Sequence, residues 1–517
     1  MQNYDIAVVG MGPVGAAAAT LFGHAGLSVV AFERDREVYA RPRAVAMDGE
    51  VVRAFQRIGR GEEFNALLQP LRPGDRAGFA NSKREWLFGA EWTGFGASGW
   101  RDIAMFDQPE VDNWLRRAAI GHPNVTAHIG AEFESFEDRG DAVALRATGE
   151  SGEAIEATAR YLVACDGASS DIRRALDIGW HDLGYDQDWL VVDITTREGH
   201  MLDNTTLQVC DPERLTTYVA TKDPYRRWEF RLNPGETAEE MLREEKICEL
   251  LDPWTPRGTY ELRRSAVYRF HAASAERWKV GRVLLAGDAA HQTPPFLGQG
   301  MNAGMRDVIN LAWKFPLVLS GTSSPELLDT YEAERQAHAV DLVDWAVAIG
   351  RLMEHLAAVE AAERSGDPPP ESPPDMRSAG YGQGRQAPPL RDGAILHEQV
   401  EAAGYTGYPF SQPTVRDANE HAFPLDERLG KGFAIVAKTA AGLKMNAASR
   451  ALVDRLGITA TTVEGLDVVR GNLDRVFSTS DVAVVRPDRY LFGHTTENLS
   501  LDALLSVLED RIYLTEL

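Results

Sequence analysis

The N-terminal 35 residues place the strongest constraint on the fold, because they contain a complete glycine-rich βαβ pattern. The apolar run YDIAVVG is typical of a strand buried in a parallel sheet. It leads into Gly10-Met11-Gly12-Pro13-Val14-Gly15, an alanine-rich helix, and a second strand LSVVAFER that contains Glu33. The glycines permit a tight turn and let a pyrophosphate reach the helix N-terminus, while the acid accepts hydrogen bonds from ribose hydroxyls. The pattern predicts dinucleotide binding but does not distinguish NAD from FAD.

A second glycine- and proline-rich stretch, LLAGDAAHQTPPFLGQGMNAGMRD, occupies residues 284–307. Gly287 allows the end of a strand to approach a ligand, and the Asp288 carboxylate suits a polyol hydroxyl, although an aspartate here also suits a turn or cap. Gly298–Asn302 lead into a helix, whose N-terminus offers free N–H groups and partial positive charge. Pro294–Phe296 lie between these two features. We therefore predict the second half of the ligand site here.

The pattern of apolar runs and turn residues between and after these stretches predicts the domains of the chain. Short strand-like runs separated by turn signals indicate an antiparallel sheet, and RVLLAGD then returns to the buried-strand pattern. The predicted domains are a discontinuous nucleotide-binding domain (1–180 and 272–360), an inserted substrate-binding sheet (181–271), a Pro/Gly-rich linker (361–389) and a smaller αβ unit (390–517). Whether residues near 70–105 also contribute to the inserted sheet stays open.

Charge and cysteine content narrow the function classes. The net charge of −23 argues against nucleic acid and anionic membranes as partners. Cys165, Cys210 and Cys248 are far apart and form no C-x-x-C pair, which argues against a disulfide framework or a zinc site and favours the cytoplasm. The uncharged run 14–32 contains three glycines, so we predict a helix-turn-strand and no membrane span. His291 has no second histidine at ligand spacing, which favours packing and no metal.

Three motifs together resemble those of the class A flavoprotein aromatic monooxygenases, which have the para-hydroxybenzoate hydroxylase fold. These are the G-x-G-x-x-G motif with Glu33, YLVACDGASSDIRR, and GDAAHQTPPFLGQGMNAGMRDVINLAWK. The 3-(3-hydroxyphenyl)propionate hydroxylases and related phenol hydroxylases look most similar, over roughly residues 3–345. The tail, with DVAVVRPDRYLFG, resembles the thioredoxin-like domain of many members, but it contains no cysteine, so packing or dimerisation is favoured over a redox role and a homodimer stays open.

The resemblance implies an α/β fold: a discontinuous Rossmann-like FAD-binding domain, an inserted antiparallel substrate sheet and a small thioredoxin-like αβ C-terminal domain. It also implies that the loop with Pro295, Phe296 and Gly298 borders the flavin ring. The residues expected to bind FAD are Gly10, Gly12, Pro13, Val14, Gly15, Glu33, Arg34, Arg43, Gln108, Asp166, Asp288, Pro295, Gly298, Gln299, Gly300, Met301 and Asn302.

The chemistry implied by the resemblance is hydroxylation of a small phenol or phenolic acid. NADPH or NADH reduces FAD, O2 adds at flavin C4a, and the hydroperoxide transfers an OH group to the aromatic ring. No separate nicotinamide-binding βαβ unit follows residue 35, which is consistent with transient docking of the reductant. A polyketide- or antibiotic-tailoring hydroxylase of the same fold is the alternative. An NAD-dependent dehydrogenase is more remote, because it leaves 284–307 unexplained.

The strand at 225–232 offers a candidate wall for the substrate. Its alternating residues place Trp, Phe and Leu on one face, and Arg, Glu and Arg on the other. We predict that the apolar face lines the pocket, with Trp228 and Phe296 contacting the substrate and Tyr218 forming a hydrogen bond with it. Ordinary core packing of this face is the alternative interpretation.

Overall fold

The computed structural model describes residues 2–371, 387–400 and 405–515. The elements of the first part are β1 (Gln2–Val9), α1 (Pro13–His24), β2 (Val29–Glu33), β3 (Ala46–Asp48), α2 (Gly49–Arg57), α3 (Gly61–Asn65), β4 (Gln69–Pro70), β5 (Arg76–Ala80), β6 (Trp86–Glu91), β7 (Ile103–Met105), α4 (Gln108–Ile120), β8 (Val125–Ile129), β9 (Glu132–Asp138), β10 (Val143–Thr148), β11 (Ala154–Ala164) and α5 (Asp171–Ala175).

The middle of the chain contains the longest strands and helices. Its elements are β12 (Trp180–Thr196), β13 (Thr206–Val209), β14 (Thr216–Val219), β15 (Tyr225–Arg231), α6 (Ala238–Met241), α7 (Glu244–Leu251), β16 (Tyr260–Ala275), β17 (Lys279–Val280), β18 (Val283–Leu285), β19 (His291–Gln292), α8 (Gly300–Leu319) and α9 (Asp329–Ser365). Helix α8 continues for three residues beyond Pro316. Helix α9 enters the segment predicted as a linker, of which 372–386 lie outside the described residues.

A parallel sheet organises the first domain, with the order β18-β11-β1-β2-β8. The residues of β2 and the second half of β1 are buried, as expected for an apolar strand covered on both faces. Helix α1 contacts both α4 and α8. Strands β1, β11 and β18 therefore bring together three segments that are far apart in sequence, and the loops that leave their carboxyl ends meet at one edge.

The second large sheet has eight strands in the order β19-β16-β12-β15-β14-β13-β5-β6. Strands β5 and β6 join it by parallel pairing of β5 with β13, so residues 76–91 do contribute to this sheet. One apolar cluster on the sheet includes Trp228 and Phe230 together with Met241 and Ile247 from α6 and α7. Another includes Trp189, Phe270 and residues of α9.

The C-terminal unit contains two small sheets. Its elements are β20 (Thr414–Arg416), β21 (Ala422–Pro424), β22 (Ala434–Ala437), α10 (Ala447–Leu456), β23 (Thr459–Thr462), β24 (Asp467–Arg470), α11 (Asp474–Phe477), β25 (Val482–Val485), β26 (Leu491–His494) and α12 (Leu501–Arg511). The main sheet has the order β23-β22-β25-β26, whereas β24 pairs with β20 in a separate sheet.

Buried ion pairs attach this unit to the first domain. Arg53 of α2 pairs with Asp426 at 2.6 Å, and Arg486 pairs with Glu334 of α9 at 2.8 Å. All four side chains are almost fully inaccessible to solvent. Breaking one partner of such a pair leaves an uncompensated buried charge, so these contacts fix the position of the unit once it has docked.

Candidate active site

The glycine turn after β1 is closely packed on one side and open on the other. Gly10 has φ 88°, and a Cβ there would collide with the carbonyl oxygen of Cys165. A Cβ on Gly15 would collide with the carbonyl oxygen of Gly10, whereas one on Gly12 would meet no protein atom within 4 Å. Gly15 therefore serves helix–strand packing, while Gly12 leaves space for a ligand at the N-terminus of α1.

Glu33 fastens this turn to the end of β2. Its Oε2 accepts a 2.7 Å hydrogen bond from the backbone N–H of Met11, and its Oε1 accepts one of 2.8 Å from Asp35. The guanidinium of Arg116 lies 3.5 Å from the same carboxylate. A carboxylate has about four acceptor positions, so Glu33 retains capacity for ribose hydroxyls.

Two adjacent cavities with shared walls lie beside the parallel sheet, and together they are called the groove. The first, of about 460 Å³, lies beside the glycine turn, and the second, of about 380 Å³, lies between the two large sheets. They share the walls made by Gly12, Pro13, Arg43, Gln108, Cys165 and Gly167. The predicted residues that line one or both are Gly10, Gly12, Pro13, Val14, Glu33, Arg34, Arg43, Gln108, Asp166, Asp288, Pro295, Phe296, Gly298, Gly300 and Met301.

Gln108 joins the middle of the groove to the Arg43 loop. Its Oε1 accepts 2.7 Å hydrogen bonds from the backbone N–H groups of Arg43 and Ala44. The Arg43 side chain is exposed and lies over the Tyr39 ring at 4.8 Å. On its other side, Gln108 donates to Asp112, and burial raises the pKa of that carboxyl to about 7. The glutamine thus positions a guanidinium at the junction of the two cavities.

Oxygen atoms along the groove fit a polyhydroxylated ligand. Asp166 accepts a hydrogen bond from the N–H of Ile172 through Oδ2, while its buried Oδ1 has no partner in the described part of the chain. The buried hydroxyl oxygen of Thr293 also has no partner among the described residues. The Asp288 carboxylate is accessible from the cavity, and burial among protein atoms raises its pKa against the opposing effects of His291 and Arg43. These acceptors and the space beside Gly12 fit FAD.

The loop before α8 brings a helix N-terminus to the second cavity. Pro295–Leu297 form a single 3-10 turn, and Gly298 follows with φ 61°, a left-handed conformation that favours glycine. Helix α8 then begins at Gly300, where a Cβ would meet no protein atom within 4 Å. The Phe296 ring packs edge-on against Trp189 at 5.4 Å. The loop is therefore held firmly while its backbone faces the cavity.

Gln299 and Asn302 support this loop from behind, and their side chains do not line the groove. Gln299 donates to Asp48 at 3.0 Å and accepts from Arg306 at 2.9 Å. Asn302 donates 3.0 Å hydrogen bonds to the carbonyl oxygens of Ala46 and Gly298. A role of these two residues toward a cofactor is thus limited to their backbone and to loop support.

His291 lies behind the strand-end loop, in agreement with a packing role. Its Nε2 is 2.9 Å from Oδ2 of Asp307, and its ring stacks on Trp278 at 5.2 Å. Asp307 also accepts from the Gly287 N–H and from Arg335, both at 3.0 Å. Among the described residues, no cluster of three or more His, Cys, Asp or Glu side chains is arranged to hold a metal ion.

The prediction that the apolar face of β15 lines the substrate pocket is wrong. Trp228 is fully buried, and its ring packs against Tyr218 and Trp254 in the cluster covered by α6 and α7. The Tyr218 hydroxyl donates to the carbonyl oxygen of Asp203 at 2.5 Å. Neither residue lines the groove. The alternative of ordinary core packing is correct, because two short helices cover the apolar face.

The opposite, polar face of the sheet lines the second cavity, and the sequence interpretation missed it. Arg227 pairs with Asp193 at 2.7 Å, and the Thr217 hydroxyl donates to Gln208 at 2.6 Å. The carboxyl of Glu229 is also on this wall. Other lining residues absent from the prediction are Leu71, Arg76, Trp92, Ile103, Met105, Asn204, Thr206, Gln208 and Val219. Alternating charges in a strand whose neighbours are apolar were the available signal.

The fold and groove define an FAD-binding protein, and comparison with known families agrees. Residues 3–346 match the FAD binding domain family, and residues 407–510 match the HcaD C-terminal domain. The chain belongs to the FAD binding domain family. The α/β fold class and the family predicted from the sequence motifs are both confirmed.

Two relatives illustrate the similarity in sequence. The chain is 32% identical to a probable NADH-specific resorcinol 4-hydroxylase of Rhodococcus jostii (strain RHA1), over 98% of this chain and 94% of the relative. It is 35% identical to a 3-(3-hydroxy-phenyl)propionate/3-hydroxycinnamic acid hydroxylase of Klebsiella pneumoniae (strain 342), over 84% of this chain and 77% of the relative.

Solved structures of similar fold cover nearly the whole chain. Aklavinone-11 hydroxylase, crystallised with FAD and aklavinone, superposes with a TM-score of 0.82 at 26% identity, covering 99% of both chains. The flavin-dependent monooxygenase PieE gives a TM-score of 0.77 at 19% identity over the same share, which is a likeness of fold alone. Within the described ranges, no helix is both long and apolar enough to cross a membrane.

Proposed function

We propose that this chain is an FAD-dependent monooxygenase that hydroxylates a phenolic aromatic compound with NADH or NADPH and O2. The observation that carries the proposal is the groove, whose walls include the N-termini of both α1 and α8. The first end suits the pyrophosphate of a dinucleotide, and the second end continues into a walled cavity between two sheets. The relatives named as resorcinol and hydroxyphenylpropionate hydroxylases support the same reaction type.

The residues of the groove divide the work of holding the cofactor. Gly12 and the first turn of α1 receive the pyrophosphate, Glu33 receives ribose hydroxyls, and Asp288 receives the ribityl chain. The loop with Pro295, Phe296 and Gly298 borders the ring, and the partial positive charge at the start of α8 favours negative charge there. When bound, FAD supplies a ring that NAD(P)H can reduce and that can then activate O2.

The overall reaction balances without further reactants. An aromatic C–H, O2, NAD(P)H and one proton give the C–OH product, NAD(P)+ and water. The protein has to exclude bulk water, hold the substrate ring beside the cofactor and accept the phenolic proton. Phe296, Leu297 and Met105 supply apolar wall, whereas Gln208, Thr217 and Glu229 supply polar groups for hydroxyls.

A polyketide-tailoring hydroxylase is the second candidate, and the likeness to aklavinone-11 hydroxylase favours it. The sequence relatives favour the smaller substrate, because both are named for single-ring phenols. The second cavity, of about 380 Å³, is bordered by Gly298, Gly300 and Met301, where the flavin ring is expected.

We propose NADH as the reductant, because the Rhodococcus relative is named as NADH-specific. We also propose a cytoplasmic location, because Cys165, Cys210 and Cys248 are all free thiols and NAD(P)H is an intracellular reductant. A homodimer remains a prediction from the sequence resemblance.

A screen of phenols tests the proposed function. Purified protein is incubated with FAD, NADH and single-ring phenols, phenolic acids or aklavinone, and the rate of NADH oxidation is measured with the product mass. We expect resorcinol-like phenols to accelerate NADH oxidation and to gain one oxygen. Acceleration by aklavinone alone would favour the tailoring hydroxylase. Acceleration without product would indicate uncoupled peroxide release and would contradict hydroxylation of the tested compounds.

A further inference from the structure

Glu229 combines burial with an unused carboxyl on the wall of the second cavity. Its side chain is 4% exposed, and no hydrogen bond within the described residues reaches its carboxyl oxygens. A buried polar group without a partner is costly unless a ligand completes it. The cavity beside it is where the proposed function places the substrate.

The charged groups around Glu229 already form ion pairs with one another. On its own strand, Arg227 lies 3.9 Å away, but Arg227 pairs with Asp193 of β12 at 2.7 Å and donates to the carbonyl oxygens of Arg43 and Pro42. Arg264 of β16 lies 3.6 Å from Asp193. Thr217, opposite Glu229 on β14, is bonded to Gln208. Each of these neighbours has another partner, so the Glu229 carboxyl is left for a donor in the cavity.

We propose that the Glu229 carboxylate accepts the proton of the substrate's phenolic hydroxyl and that it selects uncharged polyhydric phenols over phenolic carboxylates. The proposal rests on the proposed function and names the substrate class of that same site. It also assigns the proton acceptor that the sequence motifs leave unnamed.

The proton transfer increases the reactivity of the ring. The phenolic O–H bond breaks, its proton moves to a Glu229 carboxylate oxygen, and the electron pair stays on the phenolic oxygen. This pair raises electron density at the ortho and para carbons, where the new C–O bond forms and the ring C–H proton is lost. Burial raises the pKa of Glu229 to about 7, against the lowering effect of Arg227, so the carboxylate is a stronger base than an exposed glutamate.

The same carboxylate disfavours a substrate that carries its own negative charge. Arg227 is neutralised by Asp193. The other two guanidinium groups that line this cavity, Arg43 and Arg76, are exposed and lie over Tyr39 and Trp86. A substrate carboxylate placed beside the Glu229 carboxylate would be repelled by it, and this repulsion is stronger in a cavity partly shielded from solvent than in water. A second hydroxyl, by contrast, finds acceptors on Glu229 and Gln208.

The test compares the holoenzyme with the variants Glu229→Gln and Glu229→Asp, using resorcinol and 3-(3-hydroxyphenyl)propionate as probes. Glu261→Gln is the matched control, because Glu261 is a mostly exposed strand residue. For the wild type we expect kcat/KM for resorcinol to rise through pH of about 7 and to exceed that for the carboxylate probe. Glu229→Gln should lower kcat/KM for resorcinol about 100-fold and remove its rise with pH. It should also narrow the preference for resorcinol over the carboxylate probe. Glu229→Asp should retain the rise of kcat/KM with pH.

A binding measurement without turnover separates the acceptor role from a structural role. A phenol is a weaker acid than the Glu229 carboxyl, so in the resting complex the phenolic hydroxyl donates a hydrogen bond to the carboxylate and keeps its proton. The Kd of resorcinol should therefore rise as the pH falls below about 7 in the wild type and in Glu261→Gln, but not in Glu229→Gln. If Glu229→Gln does not fold, the pH profiles of Kd and kcat/KM of the wild type together with Glu229→Asp decide the question.

Three outcomes would overturn the inference. Unchanged pH profiles of kcat/KM and of Kd in Glu229→Gln would exclude Glu229 as the proton acceptor. A wild-type preference for the carboxylate probe would exclude the substrate class. If the wild type hydroxylates no phenol, the proposed function fails first and the inference fails with it. The first two outcomes, in contrast, leave hydroxylation itself intact.

Discussion

The hydroxyl of Tyr490 donates a 2.8 Å hydrogen bond to Oε1 of Glu50, and so joins the C-terminal unit to helix α2. The other oxygen of Glu50 accepts from Arg306 at 2.8 Å, and Arg306 donates to Gln299 at 2.9 Å. Gln299 immediately precedes α8, whose N-terminus faces the second cavity. Three hydrogen bonds thus connect the cysteine-free unit with the loop that we propose borders the flavin ring.

Replacing Tyr490 by Phe removes the first of these hydrogen bonds and leaves the ring in place. A hydrogen bond to a charged group is worth about 1.5–3 kcal/mol, so we expect a lower free energy of unfolding by about that amount. We also expect weaker FAD binding by a few-fold, because the loop loses part of its support. Denaturant unfolding and FAD titration by fluorescence measure these effects. Tyr513→Phe, at an exposed position, is the control and should change neither.

The glycines of the N-terminal turn should separate into two functional types. Gly12→Ala places a methyl group in open groove space, so we expect the apoprotein to keep its stability and to bind FAD at least tenfold more weakly. Gly15→Ala forces its methyl group against the Gly10 carbonyl, and we expect a destabilisation of about 1–3 kcal/mol. Thermal unfolding of the apoproteins distinguishes the two. Equal destabilisation by both would contradict the assignment of Gly12 to ligand contact.

The two faces of the antiparallel sheet should respond differently to substitution. Trp228→Phe creates a void in the cluster beneath α6 and α7, so we expect lower stability and an unchanged KM for the phenol. Val219→Phe projects into the cavity, so we expect a raised KM with little loss of stability. Steady-state kinetics and thermal unfolding of both variants provide the comparison. The reverse pattern would restore the apolar face as the substrate wall.

Docking of the C-terminal unit should weaken at low pH, because protonation of Glu334 removes its ion pairs with Arg486 and Lys314. Burial alone would raise its pKa, but Arg486 and Lys314 outweigh burial and lower it to about 2. The unfolded-state pKa is about 4.3. The stabilisation is therefore complete above pH of about 4.3 and is lost as the pH falls toward 2.

Glu334→Gln tests this pH dependence. It leaves Arg486 and Lys314 without their shared buried partner, and the expected cost is about 3–5 kcal/mol at pH 7. Unfolding measured across pH 2–7 should show a smaller acid loss in this variant than in the wild type. Glu363→Gln, at an exposed position of the same helix, should behave like the wild type.

The walls of the proposed cofactor groove were predictable because their determinants are local. A strand, a glycine turn and a helix follow one another within residues 2–24, and again within 283–319, so a short segment of sequence determines each half of the groove. The pairing of β1 with β11 and of β11 with β18 then brings the halves together. Asp166 enters the groove for the same reason, because it directly follows β11 and Cys165.

The wall of the second cavity was not predictable from such local patterns. The alternation along β15 correctly separated Trp228 from Glu229, but which face is buried depends on α6 and α7, which are only four and eight residues long. Their cover converts the apolar face into core and leaves the charged face to the cavity. The bond between Tyr490 and Glu50 is likewise invisible in sequence, because 440 residues separate the two partners.

Transfer of oxygen from O2 to a phenol tests the central claim most directly. Purified protein loaded with FAD is mixed with NADH and resorcinol under 18O2, and the product mass is measured together with NADH consumption. We predict one 18O atom in each product molecule, with one NADH consumed for each product formed. Failure to retain FAD, or NADH oxidation that resorcinol does not accelerate and that leaves it unlabelled, would contradict the assignment of this chain as a phenol monooxygenase.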